Sequence, residues 1–267
     1  MLDYAEVPRS SYYAILKQLS KADKYATIKA KIIEINSENK GRYGYRRMTN
    51  ELKSAGFTIN HKTVLKLTRE LGLLSKVRMK KYVSYRGDVG KIAPNLLERD
   101  FTATQPNQKW VTDVTEFSLF GSKLYLSPIL DLFNGEIISY TISDRPNFQS
   151  IMTMLKEAFK CLPKASQPIL HSDQGWQYQM KQFQFMLKDN GLQQSMSRKG
   201  NCLDNAAMES FFGHLKSELL YLQKFESVEH FKKELIAYLH YYNHKRIKLK
   251  LKGLSPVQYR IQSMSYA

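Results

Sequence analysis

A succession of strand-like and helix-like segments between residues 109 and 197 constrains the fold more than any other feature of this sequence. Three strand-like segments come first, at residues 109–119, 123–132 and 136–143. Helices and short strands then alternate: helix 148–161, strand 168–175, helix 181–190 and strand 192–197. Asn134-Gly135 is a hairpin signal, and Pro128 predicts an edge position or a bulge. This order predicts an α/β fold with a mixed five-stranded sheet and helices on both faces.

The segment that follows, residues 197–222, predicts a helix with one buried face. Its apolar residues repeat at helical spacing: Met208, Phe211, Phe212, Leu215, Leu219 and Leu222. Glu209 lies at the edge of this stripe, and Lys216 lies two turns further along the same side. Taken alone, this helix is better explained by a solvent-exposed Glu–Lys face than by a functional site.

Two acidic residues upstream change that interpretation. Asp113 lies within an apolar strand, where an unpaired carboxylate is costly, and Asp173 follows a short strand in the sequence His-Ser-Asp-Gln-Gly. Separately, Asp113 could bond to the backbone and Asp173 could be a turn residue. Together with Glu209 they supply three carboxylates that could meet at one end of the sheet. Hard oxygen ligands of this kind favour Mg²⁺ or Mn²⁺.

Two such ions can hold the attacking and the leaving oxygen of a phosphoryl transfer. A carboxylate pair for glycoside hydrolysis would not explain the basic surroundings. We leave out four nearby acids as candidates: Asp131, Asp144, Glu116 and Asp204. His171 is interpreted as a structural or supporting residue, because neither the histidines nor the two cysteines have zinc-site spacing.

The front of the chain is basic. Residues 1–98 hold 20 of the 41 Lys and Arg residues but only 9 of the 24 Asp and Glu residues. A surplus of this kind favours a polyanion, most simply nucleic acid, over a membrane surface. A helix is predicted at residues 8–35, and a basic linker at 75–99.

Residues 41–74 predict two short helices around a glycine-containing turn, typical of a helix-turn-helix. The first carries Met48, Leu52 and Ala55; the second is capped by Asn60 and ended by Gly72. Three basic residues line one side of the second helix at spacing suited to DNA: Lys62, Lys66 and Arg69. A helical hairpin with a solvated basic face explains this segment equally well.

The C-terminal segment predicts one helix, capped by Ser227, with Phe231, Leu235, Tyr238 and Leu239 inward. Tyr241 and Tyr242 are expected to pack on the core. We therefore divide the chain into a helical region at 1–98, an α/β core at 99–224 and a C-terminal helix with a basic tail at 225–267.

Three motifs resemble the catalytic core of DDE transposases and retroviral-type integrases. They are Trp-Val-Thr-Asp-Val-Thr at 110–115, His-Ser-Asp-Gln-Gly at 171–175, and the segment 201–218 that contains Glu209. Asp173 and Glu209 are 36 positions apart, as in that family. The tail motifs at 242–246 and 254–259 are most similar to second-frame products of two-frame bacterial insertion sequences. The resemblance covers nearly the whole chain, although Lys248 stands where such proteins often carry His.

The resemblance implies a ribonuclease-H-like fold and metal-dependent DNA cleavage and strand transfer. It makes Asp113, Asp173 and Glu209 the catalytic metal ligands, with Mg²⁺ or Mn²⁺ and two ions per site. Seven residues are expected to contact DNA, from the basic stripe, the turn at 198–200, the resemblance and the tail. They are Lys62, Lys66, Arg69, Arg198, Lys199, Lys216 and Arg246. It also implies a homo-oligomer on transposon-end and target DNA, and fusion or pairing with the first-frame product.

Two other functions remain open from the sequence alone. One is a catalytically inactive DNA-binding regulator derived from a transposase, and the other is a ribonuclease-H-like hydrolase of RNA–DNA hybrids. No bilayer-spanning stretch or signal peptide is visible, and two cysteines fit a reducing compartment. A cytoplasmic, nucleoid-associated protein is therefore expected.

Overall fold

The computed structural model describes residues 23–74, 92–163, 166–198 and 202–264, with Pro8, Ser10, Tyr12 and Tyr13. The chain divides into two compact units, Met1–Ser75 and Lys76–Ala267. Residues 92–98, which the sequence placed in the first region, thus belong to the second unit. Within the described part of the chain, no helix has the length and hydrophobicity needed to cross a membrane.

Between residues 23 and 74, the first unit has three helices, α1 (Ala26–Glu38), α2 (Tyr45–Ser54) and α3 (His61–Glu70). Their inward faces supply the buried apolar residues Ile32, Ile35, Met48, Leu52, Val64 and Leu67. The Asn60 side chain caps α3 by accepting from the Lys62 N–H at 2.8 Å. This arrangement confirms the predicted helix-turn-helix, although Ala55 is exposed.

The predicted helix at 8–35 is not continuous. A turn at Asp23–Tyr25, in which the Tyr25 N–H bonds to Asp23 Oδ1 at 2.9 Å, precedes α1. A short side chain that bonds to nearby backbone in this way competes with helix formation, so α1 begins only at Ala26. Residues 14–22 of the predicted helix lie outside the described residues.

In the part of the second unit that the structure describes, six strands form one sheet. Its strands are β1 (Lys109–Thr112), β2 (Thr115–Leu119), β3 (Ser122–Asp131), β4 (Ile137–Ser143), β5 (Ile169–Ser172) and β6 (Gln193–Met196). The order is β2-β3-β1-β5-β6, and β4 pairs with the other edge of β3. Pairing with β3 is antiparallel, whereas β1, β5 and β6 run parallel.

The strand predicted at 109–119 is two strands, so the sheet has six strands and not five. The break falls at Asp113 and Val114, where Asp113 Oδ1 accepts from the Val114 N–H at 2.7 Å. That bond takes a backbone donor that a continuous strand would use in its ladder. β1 and β2 therefore pair with separate parts of the same edge of β3.

Pro128 lies in β3, the central partner of three strands, and not at an edge. Its carbonyl accepts from Thr112 Oγ1 at 2.9 Å, which directs this residue toward the β1–β2 edge. Because Pro128 lies opposite the break in that edge, its missing N–H removes no ladder bond. The predicted irregularity does occur next to it, as a register shift at Ile129 and Leu130.

Helices cover both faces of the sheet. One face packs against α4 (Phe148–Lys160) and α6 (Lys181–Asp189), through a cluster that includes Trp110, Leu155, Leu170 and Phe183. Between β5 and α6 lies the four-residue helix α5 (Trp176–Gln179), which the sequence did not predict. The predicted helices at 148–161 and 181–190 are confirmed.

The other face carries α7 (Ala206–Leu215) and α8 (Val228–His244). A 3-10 turn at Cys202–Asn205 precedes α7, and a π-helical turn at Lys216–Leu220 follows it. The predicted apolar stripe is buried from Met208 to Leu219, whereas Leu222 lies beyond the helix end. The chain ends with a 3-10 turn at Leu249–Leu251 and α9 (Pro256–Met264).

The predictions for the C-terminal helix are confirmed. The Ser227 side chain caps α8 by accepting from the His230 N–H at 3.0 Å. Its inward residues Phe231, Leu235, Tyr238 and Leu239 are buried, and so are Tyr241 and Tyr242. This helix therefore forms part of the core of the second unit.

Candidate active site

Asp113 lies at the break after β1, with both carboxylate oxygens held. Oδ1 accepts from the Val114 N–H at 2.7 Å, and Oδ2 accepts from Asn205 Nδ2 at 2.9 Å. Burial raises the pKa of Asp113 well above its usual value, and the negative charges of Asp173 and Glu209 raise it further. Asp173 and Glu209 are therefore near enough to Asp113 for their charges to act on it.

Asp173 follows β5, which lies beside β1 in the sheet. The two strands are parallel with Val111 opposite His171, so Asp113 and Asp173 are two positions beyond the same pair. Asp173 Oδ1 accepts from the Gly175 N–H at 2.9 Å, and burial raises the pKa of Asp173. A Cβ at Gly175 would lie 2.9 Å from that oxygen, so any other residue there would displace the carboxylate.

Glu209 reaches the same place from helix α7. It lies in the first turn of the helix, four residues after Asn205, whose side chain contacts Asp113. Residues four apart share a helix face, so Glu209 and Asn205 face the same side. Glu209 is exposed at the edge of the buried stripe, and partial burial raises the pKa of its carboxyl group.

The oxygen atoms at this site, from carboxylates and an amide, are ligands that suit a hard divalent cation. Asn205 Oδ1 is buried without a hydrogen-bond partner among the described residues. Burial raises the pKa of all three carboxyl groups, and at Asp113 the charges of Asp173 and Glu209 raise it further, so a bound cation would stabilise the ionised forms. In the described ranges, however, no three or more His, Cys, Asp or Glu side chains form a group arranged to hold a metal ion.

The 3-10 turn before α7 is anchored by Asp204. Its carboxylate, with a fully buried side chain, pairs with Arg99 at 3.0 Å and with Arg198 at 2.9 Å. Asn95 donates a further hydrogen bond at 3.1 Å. Asp204 is thus a structural residue that fixes the start of the helix carrying Glu209.

His171 supports the same turn from inside the sheet. Its Nε2 lies 2.9 Å from the Asp204 carbonyl oxygen, which can only accept, so Nε2 donates. Nδ1 then accepts from Ser195 Oγ at 2.8 Å, and Ser195 accepts from the Leu96 N–H. Burial lowers the pKa of His171, which agrees with this neutral tautomer. His171 is structural, as its sequence context suggested.

Asp204→Asn is expected to lower the melting temperature by several degrees near pH 7. Hydrogen bonding from Arg198 holds the pKa of Asp204 well below its usual value, so folding stabilises the charged form. That stabilisation is complete above the unfolded-state pKa of about 3.9 and is lost as the pH falls toward the folded-state value. Melting curves of both proteins should therefore converge toward pH 2; a constant difference would contradict this role.

Asp131, the most plausible alternative acid, is a structural residue. It is buried, accepts from the N–H groups of Asn107 and Phe133 at 2.8 and 3.0 Å, and pairs with Arg260. Glu116 is exposed on β2 and bonds to Tyr125 and Lys123. Both lie outside the group formed by Asp113, Asp173 and Glu209.

The basic stripe predicted on α3 is present. Lys62, Lys66 and Arg69 are exposed, and Lys66 makes a loose ion pair with Glu70, at 3.9 Å. Arg198 is also accessible, with 59% of its side chain exposed while it pairs with Asp204. Lys199, the other basic residue of that turn, lies outside the described residues.

Two further residues predicted to contact DNA, Lys216 and Arg246, are less exposed than the basic residues of α3. Lys216 is partly buried, with Nζ 5.6 Å from the centre of the Phe117 ring. Arg246 is 3% exposed and makes two bonds to Glu218, at 2.7 and 2.8 Å. Because the Arg246 guanidinium is enclosed in the protein, we correct its assignment from DNA contact to structural residue.

Sequence analysis missed Asn205 as a site residue. Its side chain donates to Asp113 across 92 positions of sequence. The available signal was its position four residues before Glu209, which places both on one side of the helix.

Comparison with known proteins shows which families the two units resemble. Models of the family described as Integrase core domain match residues 103–202 and 209–264, and a model described as HTH-like domain matches residues 23–81. The match confirms the ribonuclease-H-like fold class.

Similar proteins cover nearly the full chain. A protein named as transposase InsK for insertion sequence element IS150, from Escherichia coli K12, is 56% identical over 98% of this chain and 93% of its own. A transposase-like protein from Haemophilus influenzae is 60% identical over 78% of this chain and 95% of its own. Transposase InsF for insertion sequence IS3A, from Escherichia coli K12, is 37% identical over 86% of this chain and 80% of its own.

Among solved structures, the HTLV-2 integrase catalytic core domain in complex with magnesium is 17% identical with a TM-score of 0.47, covering 59% of this chain and 98% of that one. The sequence relatives are far closer. Since a relative 56% identical is matched over nearly the whole length of both chains, the chain belongs to the insertion-sequence transposases, a family of DDE-type DNA transposases with an integrase core domain.

Proposed function

We propose that this protein cuts DNA at the ends of an insertion sequence and joins the ends to target DNA, using Asp113, Asp173 and Glu209 as its catalytic carboxylates. The observation that supports this most directly is that the charges of Asp173 and Glu209 both raise the pKa of Asp113, which lies beside Asp173 at the ends of two paired strands. Together with membership of a transposase family, this effect supports one catalytic group made from two strand ends and a helix.

These carboxylates are the groups that would bind Mg²⁺ or Mn²⁺, with two ions per site as the family resemblance implies. When bound, the ions activate a water or a 3′-hydroxyl and stabilise the departing oxygen of the scissile phosphate. The chain itself orients the ligands. The Gly175 N–H holds Asp173, while the Val114 N–H and Asn205 hold Asp113. Such supporting bonds fix ligand orientation in metal sites.

A nicking and strand-transfer assay tests this proposal. The substrate is a duplex carrying the inverted repeats that flank the gene, with Mg²⁺, Mn²⁺ or EDTA added. We expect cleavage and joining only with the divalent ions. Binding without cleavage under every condition would favour the inactive regulator, and preferential cleavage of an RNA–DNA hybrid would favour the hydrolase.

The exposed stripe of Lys62, Lys66 and Arg69 on α3 is proposed to bind DNA phosphates. The double variant Lys66→Ala, Arg69→Ala is expected to weaken duplex binding and to reduce the slope of log K against log salt by about 2, roughly 0.9 per lost phosphate contact. Fluorescence anisotropy over a salt series measures both. Lys160→Ala, which removes a lysine paired with Glu157 on α4, is the control. An unchanged slope in the double variant would exclude this stripe from the interface.

Two copies of the chain are proposed to act together on DNA. Each copy would supply the one proposed group of three carboxylates, while an insertion sequence has two ends to be cut, so paired ends call for at least two copies. Fusion or pairing with the first-frame product would add a further DNA-binding module. Mass measurement of complexes with one and two end duplexes, with and without that product, tests both proposals.

A further inference from the structure

A cavity of about 340 Å³ adjoins the carboxylate site. Glu116 of β2 and Tyr125 of β3 form one side of it, and Trp176 and Gln177 at the start of α5 form another. Its volume falls within the roughly 300–1,000 Å³ of small-molecule sites, near the lower limit. The space is therefore suited to a single small planar group.

Two residues connect the cavity to the catalytic acids. Val114, which lines it, follows Asp113 directly and donates to its carboxylate. On the other side, Gln177 Nε2 and Asp173 Oδ1 lie 2.6 and 2.9 Å from where a Cβ on Gly175 would be. The cavity and the carboxylates thus share a wall, so a nucleotide with its phosphate at the acids has its base within reach of the cavity.

The cavity carries little net charge. Of its described lining residues, only Glu116 is charged, and it bonds to Tyr125 at 2.8 Å and to Lys123 at 3.1 Å. Much of the remaining wall is apolar, from Val114, Pro146 and Ile151. Such a lining is unsuited to a phosphate but suited to a nucleobase, which has apolar faces and a polar edge.

Trp176 offers a flat aromatic surface at this cavity. Its side chain is 45% exposed, which is unusual for the largest apolar residue type. The backbone beneath it is fixed, because Gln179 bonds to the Gln174 carbonyl at 2.6 Å and Gln174 bonds to the Ser197 carbonyl at 3.0 Å. An exposed indole on a fixed backbone offers a stacking surface for a base.

We propose that this cavity accepts one unstacked nucleobase, from the nucleotide next to the scissile phosphate, and that Trp176 stacks on it. The inference rests on the proposed function, since it requires DNA at the carboxylates. Enzymes that act at single nucleotides often hold a base outside the helical stack in this way. Trp176 would then hold the scissile phosphate in register with Asp113 and Asp173.

Photo-cross-linking tests the contact without requiring catalysis. The full chain is bound, in EDTA, to end duplexes that carry 5-iododeoxyuridine on either side of the cut, and the cross-linked residue is identified by mass spectrometry. We expect a cross-link at Trp176 that persists in Asp173→Asn and is lost in Trp176→Ala. Phe185→Ala, which removes a 62% exposed aromatic residue on α6, is the matched control and should not change it.

A double-mutant cycle, with one change in the protein and the other in the DNA, gives a second measurement. Trp176→Ala should lower strand transfer about tenfold, in keeping with the loss of one base-stacking contact, and Trp176→Phe should retain most of it. On DNA with an abasic nucleotide at the same position, Trp176→Ala and the wild-type protein should show the same level of strand transfer. Melting curves confirm that each variant folds.

The outcomes separate this inference from the proposed function. No cross-link at Trp176, or full additivity of the abasic and Trp176→Ala effects, would overturn the base site while leaving the catalytic acids untouched. Full strand transfer by Asp173→Asn would overturn the proposed function even if the cross-link remained. If no cross-link forms at Trp176 and Trp176→Ala changes the number of copies on DNA, a second copy occupies the cavity and the base site is excluded.

Discussion

Asp173→Asn is expected to reduce strand transfer by about a thousandfold or more while leaving duplex binding almost unchanged. The substitution removes one negative charge from the three carboxylates and keeps the size of the side chain. Metal-ion stabilisation of a phosphoryl transfer is worth several kcal/mol, and each 1.4 kcal/mol corresponds to about tenfold in rate. A single-turnover assay with labelled end duplexes in Mg²⁺ measures the loss, and anisotropy measures binding.

Glu209→Gln should have a similar effect, because the charge of Glu209, on helix α7, raises the pKa of Asp113. Asp144→Asn is the matched control, since Asp144 is an exposed acid in the same unit outside the site. Isothermal titration with Mn²⁺ gives an independent readout, with weaker binding expected in both site variants. Wild-type activity in either of them would remove that residue from the catalytic group.

Arg246→Met is expected to destabilise the protein by about 3–5 kcal/mol, because it leaves the Glu218 carboxylate buried without its cation. Arg246 makes two bonds to Glu218, and Tyr238 donates a third at 3.0 Å. At about 2–4 °C per kcal/mol for a unit of this size, the melting temperature should fall by roughly 10 °C. Differential scanning calorimetry measures the shift.

The double variant Glu218→Leu, Arg246→Met supplies the control. A buried ion pair that is replaced as a whole by apolar residues is often no less stable, so the double variant should recover most of the loss. If Arg246→Met instead kept its melting temperature and lowered the salt dependence of DNA binding, the original assignment of Arg246 as a DNA contact would be right.

Much of the fold followed from local patterns in the sequence. The caps at Asn60 and Ser227 and the stripe from Met208 to Leu219 depend on residues a few positions apart, and the structure has them as predicted. Asp113 and Asp173 were identifiable because a charged residue beside buried strands needs compensation. Local spacing was therefore sufficient where the interactions are themselves local.

The failures involve interactions that spacing does not encode. The break between β1 and β2 comes from a bond between the side chain of Asp113 and the next backbone N–H, while the alternation of apolar residues continues through it. Arg246 looked like part of a basic tail because its partner is 28 positions upstream. That partner, Glu218, is buried within a π-helical turn, which a 3.6-residue repeat does not predict.

The parallel pairing of β1 with β5 makes the separation of the first two acids independent of the chain that connects them. It is set by the distance between neighbouring strands, about 4.8 Å, and not by the length of β2, β3, β4 and α4. Loops in that intervening chain are consequently free to lengthen or shorten during evolution. An insertion or deletion of one residue inside either strand, by contrast, would move one acid out of line with the other.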